Sequence, residues 1–141
     1  PERWHWQLDN GLCTMDAMLA LGAVALKGEL QSVAFGPHHY QILALPQETL
    51  VFAAHEYTQA NLSFARAADP ENDAVTRAQQ ECEKARALGR PTLPSTIGRE
   101  LRINPYLRVG TESVRQAAGM QGANDDELAT FTTLREWKNR F

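Results

Sequence analysis

Cysteine is scarce, with two residues in 141, Cys13 and Cys82. They lie far apart and form no CxxC, which excludes a disulfide framework or zinc knuckle and points to a reducing, cytoplasmic setting. Long apolar runs are missing as well. None approaches the roughly 18 residues that a membrane helix needs, and no signal-peptide pattern opens the chain. Charge of one sign is not in excess, since 14 Lys and Arg against 17 Asp and Glu leave a net −3 at pH 7. That balance offers nucleic acid or an acidic membrane no general attraction. Internal repeats and low-complexity tracts are absent. What remains is ordinary globular composition, 43% hydrophobic and 22% charged, in a length suited to one domain or part of a larger one. The first residue is Pro1 rather than Met, as a fragment of a longer chain would have it.

The opening residues read as a hairpin. Trp4, Trp6 and Leu8 alternate with polar neighbours, Asp9-Asn10-Gly11 supplies the turn, and Leu12 and Thr14 resume the alternation. Ala17 to Val24 is apolar with no clear period, and Lys27 to Gln41, with Gly36-Pro37 and His38-His39, reads mostly as loop. Leu50 to Ala54 is a short continuous apolar run, the pattern of a buried strand. A helical pattern follows from Thr58 to about Ala67. A second helix is expected with Asp69 as N-cap, Pro70 at its first position, a stripe of Val75, Ala78, Cys82 and Ala85, and Gly89 as its stop. Pro91 to Pro105 holds three prolines and a glycine and is expected to be mostly extended loop. Thr111 is expected to cap a short helix ended by Gly119. Asn124 with Glu127 resembles a capping box opening a last helix with core positions Leu128, Phe131 and Leu134. The fold class implied is α+β, mainly α.

Several residues could carry chemistry. His55 follows the Leu50–Ala54 strand, and ligands gather at the carboxyl ends of strands, although a lone histidine there is more often a hydrogen-bonded structural group. Asp16 stands at the end of a hairpin strand, where an aspartate is ordinarily a turn or cap residue. Adjacent His38 and His39 lack the i,i+4 spacing of a helical zinc pair and read as surface loop. Arg135 and Lys138 are neighbours on one face of the last helix and, with Arg140, form a small cationic patch able to hold a carboxylate or phosphate. Spacing alone favours a solvated helix C-terminus for that patch.

A longer pattern is more specific. Val51-Phe52-Ala53-Ala54-His55-Glu56-Tyr57-Thr58, continued by Ala60-Asn61-Leu62 and Phe64-Ala65, resembles the segment of glyoxalase II (hydroxyacylglutathione hydrolase) that passes from its metallo-β-lactamase domain into its helical C-terminal domain. The resemblance continues through Asp69-Pro70-Glu71-Asn72, Pro91 to Gly98 and Asn104-Pro105-Tyr106-Leu107-Arg108, and ends in Arg135-Glu136-Trp137-Lys138-Asn139-Arg140-Phe141. Upstream, Leu12 to Leu19 is similar to the family's Phe-Thr-Gly-Asp-Thr-Leu-Phe, with Met15 where the family has glycine. The resemblance implies a partial metallo-β-lactamase-like β/α segment over residues 1–57 and a helical C-terminal domain over 58–141. It implies hydrolysis of S-(2-hydroxyacyl)glutathione thioesters at a dinuclear centre of zinc, iron or manganese. Asp16 corresponds to the aspartate bridging the two metals and His55 to the last metal-binding histidine. Tyr57, Arg135 and Lys138 correspond to residues holding the glutathione part of the substrate.

The departures from that family narrow the expectation. The Thr-His-x-His-x-Asp-His motif, which supplies most of the metal ligands, does not occur in the chain. A glutathione-contacting Gly-Cys-Gly-Arg block is replaced between Gly22 and Leu45. Asp16 and His55 alone would hold no metal, or only partial occupancy, so this chain by itself is expected to be inactive. Two functions follow: the C-terminal half of a thioesterase that needs its amino-terminal half, or a non-catalytic helical module that binds a partner or a thiol. Strands taken from a larger sheet expose edges, which implies a homo-oligomer.

Overall fold

The computed structural model describes residues 12–13, 25–26, 46–51, 56–122 and 126–141. Two antiparallel strand pairs lie within them. Strand β1 (Leu12–Cys13) pairs with β2 (Ala25–Leu26), Leu12 opposite Leu26 and Cys13 opposite Ala25. The Trp4–Leu8 arm expected to face Leu12, and the stretches Ala17 to Val24 and Lys27 to Gln41, lie outside the described residues. Strand β3 (Leu50–Val51) pairs with β4 (Ser95–Thr96), Leu50 opposite Thr96 and Val51 opposite Ser95. The apolar run suggested a strand buried on both faces. Val51 is fully buried, but Leu50 is 37% exposed, because this ribbon turns one face outward; residues 52–54 lie outside the description.

Five α-helices make up most of the rest. Helix α1 (Thr58–Ala68) starts where the pattern predicts and buries Leu62, Phe64, Ala65 and Ala68. Helix α2 (Asp73–Ala87) begins later than expected. Asp69 is not its N-cap, and Pro70 is not its first residue. The Asp69 carboxylate is instead buried at the C-terminal end of α1, accepting from Arg108 Nε at 2.8 Å and from Asn72 Nδ2 at 2.7 Å. A carboxylate committed to that ion pair is not available to cap, so Asn72 does so, its Oδ1 accepting from Ala74 N at 3.0 Å. The α2 stripe buries Val75, Ala78 and Cys82 as expected, and Gly89 follows in the left-handed conformation at φ 66°.

The segment expected to be loop holds β4, helix α3 (Ile97–Ile103) and a 3₁₀ turn over Pro105–Leu107. Thr96 Oγ1 accepts from Arg99 N at 3.1 Å to start α3, and Asn104 Oδ1 accepts from Tyr106 N at 3.1 Å to start the 3₁₀ turn. The prolines therefore border a helix instead of breaking one. Gly98 admits the turn at residues 46–49: its N–H reaches Gln47 O at 2.8 Å, and a Cβ there would stand 3.0 Å from Gln47 Cβ.

Helix α4 (Glu112–Gly119) has Thr111 at its N-cap position and Gly119 as its last residue, but the Thr111 hydroxyl donates back to Arg108 O at 2.8 Å and makes no cap bond. Helix α5 (Glu127–Arg140) is capped by Asp126, whose Oδ1 accepts from Ala129 N at 2.8 Å. Asn124, expected in that role, lies outside the described residues. Phe131 and Leu134 are buried as predicted, whereas Leu128 is 57% exposed and Thr130 is buried in the core instead.

Helix α1 is the middle of the fold. One apolar cluster joins its Phe64 and Ala68 to Tyr106, Val109, α4 and α5, with Trp137 packed against it. A second joins its Leu62 and Ala65 to Val75, Ala78 and Cys82 of α2 and Ile103 of α3. The architecture is α+β and mainly helical, as the sequence implied.

Candidate functional site

Asp16, His55 and the His38-His39 pair lie outside the described residues, and the expected site residues that are described are Tyr57 and, on the last helix, Arg135 and Lys138. Tyr57 is the residue before α1, with φ −91° and ψ 11°, no side-chain cap bond and a side chain about half exposed. Its carbonyl accepts from Asn61 N at 2.9 Å and opens the helix.

Helix α5 reaches this end of α1 through aromatic packing. The Phe64 ring stacks near Tyr106 and takes Trp137 and Phe141 edge-on, each of those two with centroids 5.4 Å away. Lys138 follows Trp137, and its Nζ stands 5.2 Å from the Phe64 centroid and 5.7 Å from that of Phe141. The same ammonium donates to Ala60 O at 3.3 Å, in the first turn of α1. Lys138 thus reaches the turn that Tyr57 begins, 78 residues away in sequence. Desolvation pushes its pKa below the usual lysine value. Arg135 is half-buried one turn earlier on α5, close enough for its charge to act on the buried Tyr106 phenol. Arg140 is exposed at the end of the helix.

Two polar clusters beside Tyr57 escaped sequence reasoning. In the first, Glu56 Oε1 accepts from Thr92 N at 2.8 Å and from the Thr92 hydroxyl, which itself lies 2.6 Å from the Thr58 hydroxyl. These bonds hold the Glu56 carboxyl below its usual pKa. In the second, buried Glu100 accepts from Ser95 Oγ at 2.5 Å and Asn104 Nδ2 at 3.3 Å. The spacing Ile97, Glu100, Ile103 could have placed Glu100 on the inner face of a helix, had α3 been recognised. Both clusters border a cavity of about 60 Å³ with Tyr57, Leu62, Leu93 and Tyr106 in its wall.

Burial pushes the Glu100 carboxyl above its usual pKa, despite the two hydrogen bonds it accepts. The folded chain therefore keeps this proton at a pH where the unfolded chain has released it. Stability from this group falls as pH rises past the unfolded pKa, and levels once the folded carboxyl also ionises. In Glu100→Gln the amide can donate to Ser95 and accept from Asn104 without ionising. Urea midpoints followed from about pH 4 to 8 should decline less in Glu100→Gln than in wild type. Parallel profiles would mean that Glu100 ionises normally.

Among the described residues no three His, Cys, Asp or Glu side chains group as a metal site. The two positions matched to family ligands, Asp16 and His55, do not fit a pair of metal ions that each need three or four protein ligands. Among the described residues, no helix is long and apolar enough to cross a membrane.

Comparison with known proteins bears on the same region. Residues 56–141 match the family described as hydroxyacylglutathione hydrolase C-terminus. The hydroxyacylglutathione hydrolase of Chromohalobacter salexigens is 57% identical over 101 residues, 72% of this chain and 40% of that protein. Those of Vibrio cholerae and Aliivibrio salmonicida are 48% and 46% identical, with the same coverage of each chain. The chain thus spans about two fifths of the length of these relatives.

Proposed function

The chain belongs to the hydroxyacylglutathione hydrolase C-terminus family, and on that premise we propose that it is the glutathione-holding part of a glyoxalase II-type thioester hydrolase. Arg135 and Lys138 grip the glycine carboxylate of S-(2-hydroxyacyl)glutathione, and the Tyr57 phenol donates to the same end of the ligand. The observation that carries this reading is the Lys138 ammonium seated on the first turn of α1, three residues past Tyr57. Its half-buried setting strengthens an ionic contact relative to one in open water.

The catalytic half of the reaction is assigned elsewhere. Thioester hydrolysis in this family would use two metals, and Asp16 and His55 would be two of their ligands only in a chain that supplies the others. This chain alone therefore binds the glutathione part without turnover. Helices over residues 58–141 form the binding unit, residues 1–57 a partial β/α segment, and the setting is cytoplasmic. Unpaired strand edges make the chain a homo-oligomer, which gel filtration over a concentration series checks, a monomer throughout counting against it.

With the Gly-Cys-Gly-Arg block missing, part of the clamp is gone. Glutathione is therefore expected to bind no tighter than about 1 mM, about −4 kcal/mol. Each charge-assisted contact supplies about 1.5–3 kcal/mol when desolvated. Arg135→Ala should abolish the binding, since the remaining Lys138 is a point charge without the planar fork. Titration of glutathione by ¹H–¹⁵N NMR tests this. Shifts around Tyr57 and α5 that saturate near millimolar and vanish in Arg135→Ala support the reading. Shifts unchanged by that substitution put the ligand elsewhere. Metal analysis and an S-lactoylglutathione hydrolysis assay of the same sample should show neither stoichiometric metal nor turnover.

A further inference from the structure

Tyr57 stands at the junction into α1, where its carbonyl accepts from Asn61 N at 2.9 Å. Its backbone is neither extended nor helical, and its side chain makes no cap bond. The residues on either side of it share one partner. Glu56 accepts both the backbone N–H and the hydroxyl of Thr92, and the Thr58 hydroxyl lies 2.6 Å from that same Thr92 hydroxyl. Thr92 sits on the segment between α2 and β4, more than 30 residues away, and its neighbour Leu93 shares the cavity wall with Tyr57. With Glu56 and Thr58 both tied to Thr92, the backbone from which the Tyr57 side chain leaves the start of α1 is held on both sides.

We propose that Thr92 is a positioning residue that orients Tyr57 for the ligand held by Arg135 and Lys138. The inference rests on the glutathione reading above. Thr92 makes no ligand contact itself. It acts through its hydroxyl, which joins the Glu56 carboxylate to the Thr58 hydroxyl, and the methyl group of threonine takes no part. Valine keeps the shape and the backbone N–H bond to Glu56 but removes the link, while serine keeps the link and loses only the methyl.

The test is glutathione affinity by NMR in wild type, Thr92→Val, Thr92→Ser, Tyr57→Ala and the double variant Thr92→Val/Tyr57→Ala. Thr92→Val is expected to weaken binding roughly fivefold, the size of one neutral hydrogen bond lost. Thr92→Ser should stay within about twofold of wild type, and Thr92→Val should add nothing in the Tyr57→Ala background. A general loosening of the fold would not give that pattern. Equal weakening by valine and serine, an unchanged Thr92→Val, or a full effect of valine without Tyr57 overturns the positioning role and leaves the glutathione site standing. A wild-type chain that shows no saturable shift overturns both.

Discussion

Arg108→Ala is expected to lower folding stability by about 3–5 kcal/mol, the cost of stripping the partner from a buried charge. Asp69 is only 1% exposed, and its Oδ2 accepts from Arg108 Nε at 2.8 Å and from Asn72 Nδ2 at 2.7 Å. Without the guanidinium, the carboxylate keeps one neutral donor and little access to water. The damage would spread, because Asn72 Nδ2 also donates to Arg102 O and Asn72 Oδ1 caps α2. A second ion pair supplies the control. Arg99 and Glu81 meet at the same 2.8 Å, but their side chains are 36% and 62% exposed. Glu81→Ala should therefore cost no more than about 1 kcal/mol. Burial, not distance, separates the two. Urea midpoints of both variants check this, and equal losses would remove the argument. Replacing Asp69 and Arg108 together by apolar residues should recover much of the Arg108→Ala loss, since the charge is then gone as well.

That ion pair also explains where sequence reading fell short. Asp69-Pro70-Glu71 has the composition of a helix start, and local pattern assigned Asp69 to a cap. A residue 39 positions away claims the carboxylate, and the cap passes to Asn72. Helix α3 was hidden for a related reason. Three prolines and a glycine suggested loop, yet the prolines stand outside the helix or at the first position of the 3₁₀ turn, and Gly98 serves a close approach to Gln47. Helix α1 and the stripe of α2 were legible from their apolar period, and α4 from Thr111 and Gly119 at its two ends, although the Thr111 hydroxyl makes no cap bond. At the site, spacing gave Arg135 and Lys138 a common face and nothing more. Tyr57 entered only through family resemblance. The Lys138 ammonium reaches Ala60, three residues past Tyr57, through side chains of α5 packed on α1, a contact without a local signature. Glu56 and Thr92, far apart in sequence, gave none either.

Phe64→Ala should cost about 3–5 kcal/mol, the range for removing a buried aromatic side chain from a packed core. Phe64 is 1% exposed and is the ring on which Tyr106, Trp137 and Phe141 converge. Methyl-sized alanine leaves a void bounded by large rings that cannot all close upon it. The loss would not stay in one cluster. Helix α1 turns Phe64 and Ala68 toward α4 and α5 and Leu62 and Ala65 toward α2 and α3, so neither cluster keeps its wall if α1 shifts. The variant should therefore still unfold in one transition, at a lower urea concentration. The Trp137 indole and Val75 methyl signals report the two clusters separately and should disappear together. Loss of the indole signal at lower urea would show that α1 does not couple them. The site should suffer in parallel, since the Lys138 ammonium rests 5.2 Å from the Phe64 ring. Phe64→Leu separates the two effects: it refills most of the void but offers the cation no π face, an interaction of about 0.5–1 kcal/mol where exposed and more when desolvated. Most of the stability should return with leucine, and glutathione affinity should not recover with it.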